Sequence, residues 1–397
     1  MLMFYIINTM QAYKKKRKHG NLIIIAVIII FLYIIYFLFS NVTKLNNITI
    51  KEDSGYSGGV AVVSSNNTTN ILVVYKSKNN GFTVNTYNAL LTVTPGTSTT
   101  LMALPSNVNF YTSPSSSQTL RTIYPIGNLN VPKDGMNLLL KVIRYNLAIP
   151  VGGYISLSST SLKGTKNISI VSSVSTNIGG VSVSNGVNTL TSNQAINILS
   201  SKSDTFNNLY IKNLIFQGIL SNILSPLSLI NTSSDIGYIQ TIFRSNIEGQ
   251  NIFNLLYAIY NLKIQNIKLL EYKASGLINL KNIDTFIRSN FTGTTFAKSG
   301  VSVQILDSSS SNNAVYQFSR YIQNLGGTIS SIGIYNQALV KDEIYVGNYS
   351  RYKYEVTQII DILGPSNVTL IKHNPSFYTG DIIVILGSDD NILYSTL

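Results

Sequence analysis

The sequence predicts an α/β protein with an N-terminal transmembrane helix, a long middle domain and a small C-terminal α/β domain. An uninterrupted apolar run near the N-terminus predicts the transmembrane helix. In the middle of the chain, strand-like segments are followed by segments with helical spacing, which favours a layered α/β architecture. Towards the C-terminus, short strand-like segments enclose two amphipathic helices, and this pattern predicts the small third part.

The N-terminal anchor is the strongest signal in the chain. Residues 22–39 are all apolar or aromatic, and as a helix they reach ~27 Å at ~1.5 Å per residue, close to the ~30 Å hydrocarbon core of a bilayer. The basic run Lys14–Lys18 precedes them, so residues 1–20 are expected to form a cytoplasmic tail. A cleaved signal peptide is the alternative, but the run is too long and no small-residue cleavage site closes it. We therefore expect a single-pass type II cell-membrane protein with its transmembrane helix at 21–39, the lipid bilayer as a partner, and everything from Ser40 onward extracytoplasmic.

The segment after the anchor and the middle domain differ in periodicity. Residues 40–66 mix Asn, Ser, Gly and Lys with little pattern, which is typical of a spacer. The middle domain is expected at 67–290, where runs of Val, Thr, Leu and Tyr signal strands and spaced apolar residues signal helices. The predicted strands are Thr69–Ser77, Phe82–Val93 and Ser98–Pro105, and the predicted helices are Asp134–Ile149, Gln194–Leu199, Asn208–Leu224 and Gly249–Leu262.

A polar linker is expected at 291–300, followed by a C-terminal domain at 301–390. Both predicted helices of this domain end in glycine, the usual helix stop. The main predicted elements are the strand Val301–Leu306, the helices Asn313–Gly327 and Arg351–Pro365, and the closing strand Asp381–Gly387.

Composition excludes several kinds of function. The chain has no cysteine, so disulfides, thiolate metal sites and a cysteine nucleophile are excluded. The formal net charge is +13, but a good part of it lies in Lys14–Lys18 and no other basic cluster with interleaved aromatic residues follows, so no nucleic-acid partner is expected. No group of acidic residues and histidines has metal-ligand spacing, so no metal site is predicted.

The C-terminal domain resembles the C-terminal domain of the LytR family. The shared features are an opening VSVQILDSS, a helix ending in LGG, a helix ending in ILG and a closing DIIVILGSD, in this order. The family usually has Asn with glycines in the first loop, where this chain has Asp307 followed by serines.

The middle domain resembles the LytR–CpsA–Psr family, whose members often carry such a C-terminal domain. NILVVYKS stands where the family has its opening strand, GGYISLSSTSL resembles the strand before a loop, and NIGGVSVSNGVNTLTSNQAINIL resembles a Gly-Gly-Val segment and the helix behind it. The resemblance implies an α/β/α domain with a central mixed sheet and an apolar lipid tunnel. It also implies an activity that transfers polyprenyl-phosphate-linked glycopolymer onto peptidoglycan.

The charged active-site residues of that family are absent from the matching positions. Asn85 and Tyr87 stand where the family has the Arg and Asp of Arg-x-Asp, and Ser106 and Asn107 follow Pro105 where it has Pro-Arg-Asp. A diphosphate leaving group needs guanidinium groups or carboxylate-held Mg²⁺, and amides and hydroxyls supply neither. We therefore expect a degenerate site without catalytic residues, with no cofactor, and with Mg²⁺ required only if the protein is active.

The arginine-rich segment of the family is also replaced. Only Lys202, Asp204 and Lys212 are ionisable in the matching stretch of this chain. Lys202 and Lys212, together with Arg121, could form a reduced phosphate-binding set. A solvated helix start is the favoured interpretation of the stretch from Lys202 to Lys212.

Three functions stay open at this point. The favoured one is a membrane-anchored envelope protein that binds lipid-linked glycopolymer or peptidoglycan without transferring it, because the segment order is kept and the charges are lost. The second is an active glycopolymer transferase that uses displaced basic residues such as Lys202 and Arg121. The third is a structural protein in which residues 301–397 dock on wall polymer and the middle domain serves as a spacer.

Overall fold

The computed structural model describes residues 51–53, 68–79, 81–129, 133–224, 241–291, 294–309, 312–373 and 379–388. All of these residues belong to one structural unit, Thr49–Leu397. The predicted transmembrane helix and most of the predicted spacer lie outside the described residues. No helix in the described ranges has both the length and the apolar character that a membrane crossing requires.

The strands and helices are numbered here in chain order. The strands are β1 Thr69–Asn79, β2 Phe82–Thr94, β3 Ser98–Leu104, β4 Asn109–Ser113, β5 Ser116–Thr119, β6 Gly153–Ser158, β7 Ile168–Ser172, β8 Thr176–Ile178, β9 Val181–Val183, β10 Gly186–Leu190, β11 Arg244–Ser245, β12 Lys268–Glu271, β13 Ser302–Asp307, β14 Thr328–Ile334, β15 Asp342–Val346, β16 Val368–Ile371 and β17 Ile382–Leu386. The helices are α1 Leu120–Gly127, α2 Gly135–Leu147, α3 Ser159–Leu162, α4 Ser192–Ser200, α5 Phe206–Ile223, α6 Gly249–Asn261, α7 Leu280–Asn290, α8 Thr295–Ser299, α9 Asn312–Asn324 and α10 Tyr349–Leu363, and a 3₁₀ turn spans Ile264–Asn266.

A mixed sheet with the strand order β11-β6-β1-β2-β3-β12 forms the centre of the first half of the chain. Strands β1, β3, β6 and β12 all run in one direction, whereas β2 and β11 run in the other. The predicted central mixed sheet is therefore confirmed, as are the three predicted strands that became β1, β2 and β3.

Helices cover both faces of this sheet. On one face, side chains of β1, β2 and β3 share a hydrophobic core with α1, α2 and α7, for example Leu72, Leu90 and Met102 with Leu139 and Ile283. On the other face, α4 contacts β1 and β2, and α5 contacts β3 and β12. The result is an α/β/α arrangement, and the helices predicted from apolar spacing in this half are present as α2, α4, α5 and α6.

A second, five-stranded sheet has the order β14-β13-β17-β15-β16. Helices α9 and α10 share its main core, which contains Phe318 and Val356 from the helices and Ile305 and Val384 from the strands. All of these elements lie within the predicted range 301–390. The assignment of that range to the LytR C-terminal family stays a prediction.

A buried polar network connects the second half of the chain to the first. Arg320 on α9 pairs with both carboxylate oxygens of Asp284 on α7, at 2.8 Å each. The same guanidinium donates to the carbonyl oxygens of Tyr145 and Asn146, at 3.1 and 2.8 Å, and Asn324 donates to that of Leu147 at 2.9 Å. Since the last carbonyls of a helix have no partner within it, α9 caps the C-terminal turn of α2.

Candidate functional site

The residues predicted to replace the family's active site all lie at one edge of the central sheet. This edge is formed by the carboxyl ends of β1, β3, β6 and β12 and by the beginning of β2. Asn85 and Tyr87 are near the start of β2, and Ser106 and Asn107 follow β3 after Pro105. In open α/β sheets, ligands bind outside the carboxyl ends of the strands, so this position is compatible with a binding site.

A β-bulge separates the two predicted residues on β2. Tyr75 pairs with Tyr87, but the next residue of β1, Lys76, pairs with Asn85, so Thr86 is the extra residue. Side chains alternate along a regular strand, and Asn85 and Tyr87 would then share a face. The bulge instead places Asn85 on the face of Lys76 and α1, whereas Tyr87 contacts α5 on the opposite face.

Tyr87 takes part in a buried hydrogen-bonded chain on the α5 face. Its hydroxyl donates to Oδ1 of Asn213 at 2.8 Å, and Nδ2 of Asn213 donates to Oε1 of Glu271 at 3.2 Å. Burial raises the pKa of Tyr87 well above its ordinary value, and the Glu271 carboxylate raises it further. Burial also raises the pKa of Glu271, against the lowering effects of Asn213 and Lys273. Tyr87 is therefore a neutral donor that joins β2 to α5.

Lys212 lies inside α5 and is completely buried. Its Nζ donates to the carbonyl oxygens of Thr86 and Ser201, at 2.9 and 2.8 Å, and to Oδ1 of Asp204 at 3.3 Å. Burial lowers the pKa of Lys212, and the charge and hydrogen bond of Asp204 act in the other direction. The expectation of a solvated helix start is therefore wrong for Lys212, whose ammonium group joins β2 to the loop before α5.

Asn107 is exposed and connects three parts of the chain. Its backbone N–H donates to Oδ2 of Asp204 at 3.0 Å, and its Nδ2 donates to the carbonyl oxygen of Lys202 at 3.0 Å. Its Oδ1 accepts a hydrogen bond from Nη1 of Arg121 at 3.3 Å. Asn107 and Asp204 thus bring together Arg121, Lys202 and Lys212, although Lys202 contributes its carbonyl while its side chain is exposed. The phosphate-binding role of these three residues stays a prediction.

Ser106 has a different environment from that of Asn107. Its side chain is buried, and its Oγ accepts a hydrogen bond from Nδ2 of Asn88 at 3.2 Å. Its carbonyl oxygen accepts from the backbone N–H of Arg121 at 3.0 Å. Ser106 therefore fixes the turn after β3 against β2 and the start of α1.

Lys76 also lies at this edge, although the sequence patterns did not predict it as a site residue. It is largely buried and forms an ion pair with Oδ1 of Asp53, whose Oδ2 accepts a hydrogen bond from Oγ of Ser156 at 3.1 Å. Its Nζ also lies 4.9 Å from the centre of the Tyr124 ring, within cation–π distance. The signal was present in the sequence, because a lysine directly follows the apolar strand segment ILVVY.

Several polar atoms at this edge are buried without a hydrogen-bond partner among the described residues. Both amide atoms of Asn85, Oγ1 of Thr86 and Oδ1 of Asn88 have no hydrogen-bond partner within the described part of the chain. Leaving one such group unpaired costs about 1–3 kcal/mol, and native proteins rarely do so without a reason. These atoms therefore lie where a polar ligand or water would be hydrogen-bonded.

The carboxylates at the edge are engaged by protein donors. Asp204 accepts from Asn107 and Lys212, and Asp53 accepts from Lys76 and Ser156. No group of three or more His, Asp or Glu side chains in the described ranges could hold a metal ion. The carboxylates described here do not fit a Mg²⁺ site, since this ion needs near-octahedral oxygen ligands that are free to bind it.

Comparisons with known proteins give structural similarity alone. No protein-family profile and no curated protein matches the sequence. Among solved structures, TagV of B. subtilis is 10% identical with a TM-score of 0.45, and the match covers 55% of this chain and 94% of that chain. TagT bound to LI-WTA is 12% identical with a TM-score of 0.45 and coverages of 60% and 96%. Protein gbs0355 from Streptococcus agalactiae is 17% identical with a TM-score of 0.40 and coverages of 52% and 78%. At these values the similarity assigns neither a family nor an activity to this chain.

Proposed function

We infer that this chain is a membrane-anchored, extracytoplasmic cell-envelope protein of the LytR–CpsA–Psr type that binds polyprenyl-phosphate-linked glycopolymer or peptidoglycan and does not transfer it. The observation that carries this proposal is the state of the cations at the carboxyl edge. Lys212 is paired with Asp204, and Lys76 is paired with Asp53. The two buried ammonium groups at the edge are therefore neutralised within the protein.

Transfer from a polyprenyl diphosphate carrier needs more than this edge supplies. The departing phosphate develops negative charge, which arginine forks or a carboxylate-held metal ion stabilise in other phosphoryl-transfer sites. Here the corresponding positions hold amides and hydroxyls, namely those of Asn85, Tyr87, Ser106 and Asn107. Such groups hydrogen-bond phosphate oxygens and sugar hydroxyls, which supports binding without turnover.

A second candidate is an active glycopolymer transferase. It is favoured by one observation, which is that Arg121 and Asp204 contact Asn107 from separate parts of the chain and that Lys212 pairs with Asp204. In this alternative Arg121 and the exposed Lys202 would contact the diphosphate, and Mg²⁺ would have to be held by ligands other than the carboxylates described here.

The test compares binding and transfer with the full-length chain in detergent. The probe is polyprenyl diphosphate carrying a short glycan, and peptidoglycan sacculi serve as the acceptor. We expect saturable binding, with no glycan transferred in the presence or absence of Mg²⁺. Arg121→Ala should weaken binding by about tenfold, the equivalent of one charge-assisted hydrogen bond, whereas Arg351→Ala on α10 is the matched control and should have no effect. Lack of binding would refute the proposal, and Mg²⁺-dependent transfer that Lys202→Ala abolishes would establish the second candidate.

A further inference from the structure

Residues Lys51–Asp53, named here the strap, lie against the central sheet although they belong to the predicted spacer. The carbonyl oxygen of Lys51 accepts from the backbone N–H of Ser245 on β11 at 3.2 Å. The backbone N–H of Asp53 donates to the Tyr154 hydroxyl at 2.8 Å, and Asp53 itself is buried. The strap is thus held against β6 and β11 by a few polar contacts, and its Asp53 carboxylate pairs with Lys76 on β1.

The surroundings of Lys76 are those of an anion-binding site. Its ammonium group lies over the Tyr124 ring, and its neighbour on β2 is Asn85, whose buried amide has no partner among the residues described. An ammonium group and an amide N–H on the same sheet face together offer two donors to one negatively charged oxygen acceptor. In this structure the Asp53 carboxylate pairs with the ammonium group of Lys76, and the amide N–H groups of Asn85 have no acceptor among the described residues.

We propose that Lys76 and Asn85 form a binding site for a phosphate oxygen and that the Asp53 carboxylate is an internal competitor that must leave when the phosphate binds. A carboxylate and a phosphate oxygen offer the same chemistry to an ammonium group, which is a negative charge and several lone pairs. Because a buried ammonium group without a counter-ion is strongly disfavoured, Lys76 exchanges one anion for another and does not stay unpaired. This site rests on the proposed function in one respect, which is that the phosphate belongs to a polyprenyl-linked glycan.

The strap gives this exchange a structural consequence. Asp53 belongs to the segment that the sequence analysis places between the membrane anchor and the middle domain. Release of Asp53 from Lys76 and Ser156 would free this end of the strap from the sheet.

The experiment measures binding of inorganic diphosphate and inorganic phosphate to the full-length chain by titration calorimetry. Asp53→Asn removes the competing charge and should raise the affinity for diphosphate by about tenfold or more. Glu52→Gln is the matched control, because Glu52 is the exposed carboxylate next to Asp53 and should leave the affinity unchanged. Lys76→Met should abolish binding in the wild-type and Asp53→Asn backgrounds. Ser156→Ala loosens the carboxylate without changing the charge, and it should give a smaller increase that decides the question if Asp53→Asn does not fold.

The outcomes separate this inference from the proposed function. Equal diphosphate affinity in the wild type, Asp53→Asn and Ser156→Ala would show that Asp53 does not compete with the phosphate. If polyprenyl diphosphate still binds to the Lys76→Met variant, Lys76 does not form the phosphate site, but the proposed function stands. If Asp53→Asn gains affinity for diphosphate but the chain does not bind the polyprenyl-linked ligand, the anion site is supported and the proposed function fails. A gain for inorganic phosphate as large as that for diphosphate supports the site and shows that one phosphate group is sufficient to occupy it.

Discussion

Asn85 and Asn213 are both completely buried near the carboxyl edge of the central sheet, and they differ in what surrounds them. Asn213 accepts a hydrogen bond from Tyr87 and donates to Glu271 and to the carbonyl oxygen of Leu270. The amide of Asn85 has no hydrogen-bond partner within the described ranges. At the scale of single residues, Asn213 stabilises the fold, whereas the unpaired Asn85 destabilises it and occupies a position suited to ligand binding.

This contrast predicts opposite effects of the same substitution. Asn85→Leu replaces an unsatisfied buried amide by an apolar group of similar size, and it should raise the free energy of unfolding by about 1–3 kcal/mol. Asn213→Leu leaves the Tyr87 hydroxyl without its acceptor and should lower the free energy of unfolding by about 1–3 kcal/mol. Urea denaturation of the two variants measures both values. A destabilised Asn85→Leu variant would mean that the amide contributes to the folded state through a partner, and that it is not kept for a ligand.

At the scale of elements, α5 differs from an ordinary surface helix because it is buried on nearly all sides. It packs on β3 and β12 of the central sheet, and it also contacts β7 of the ribbon formed by β7 and β10. Its sequence is accordingly apolar around most of its circumference, so its spacing predicts the helix but not the side that faces the sheet. The contact with the ribbon is closest at Gly218, where an added Cβ would lie 2.6 Å from Cγ2 of Ile168 and 3.0 Å from the carbonyl oxygen of Ser169.

Gly218→Ala should therefore destabilise the protein by about 1–3 kcal/mol, despite the higher helix propensity of alanine, because the added methyl group overpacks the contact between α5 and β7. Gly164→Ala is the matched control, since a Cβ there meets no atom within 4 Å. It should be neutral or slightly stabilising because alanine restricts the unfolded chain. Thermal unfolding of both variants tests this, and an equally stable Gly218→Ala protein would show that the ribbon can move away from α5.

The strands and helices also show which local sequence patterns were sufficient to predict an element. Long strands and helices such as β2 and α2 were predicted because their periodic patterns extend over many residues. The two-stranded ribbons β4–β5 and β8–β9 were not predicted, since strands of three to five residues carry too little pattern. The β-bulge at Thr86 could not be predicted either, because its position is set by pairing with β1.

At the scale of the whole molecule, the polar network around Arg320 makes the two sheets parts of one unit. Arg320, Asp284 and Asn324 are almost completely buried, and the donors of α9 satisfy the last carbonyls of α2. Ala148, which follows α2 in a left-handed conformation, belongs to the hydrophobic core of the second sheet. These contacts therefore couple the stability of each half to that of the other.

This arrangement predicts a single cooperative unfolding transition for residues of both sheets in the wild-type protein. Arg320→Ala leaves the Asp284 carboxylate buried and the end of α2 uncapped, which should cost about 3–5 kcal/mol and separate the calorimetric profile into two transitions. Arg351→Ala removes an exposed guanidinium from α10 and serves as the control with a single transition. An Arg320→Ala protein that still unfolds in one step at the wild-type temperature would show that the two halves are coupled by other contacts.

The order of the predicted strands and helices, the low proportion of charged residues (11%) and the polar turn after β3 follow from the sequence, because each depends on composition or on neighbouring residues and their spacing. The electrostatic character of the carboxyl edge does not follow from it. Lys76 pairs with Asp53 and Asn107 bonds to Asp204, and these residues are far apart in the chain. Lys212 changes from an expected exposed cation into a buried one because α5 packs between two sheets. Charge pairing depends on distance and burial in three dimensions, and these are set by how the elements pack and not by the local pattern that forms them.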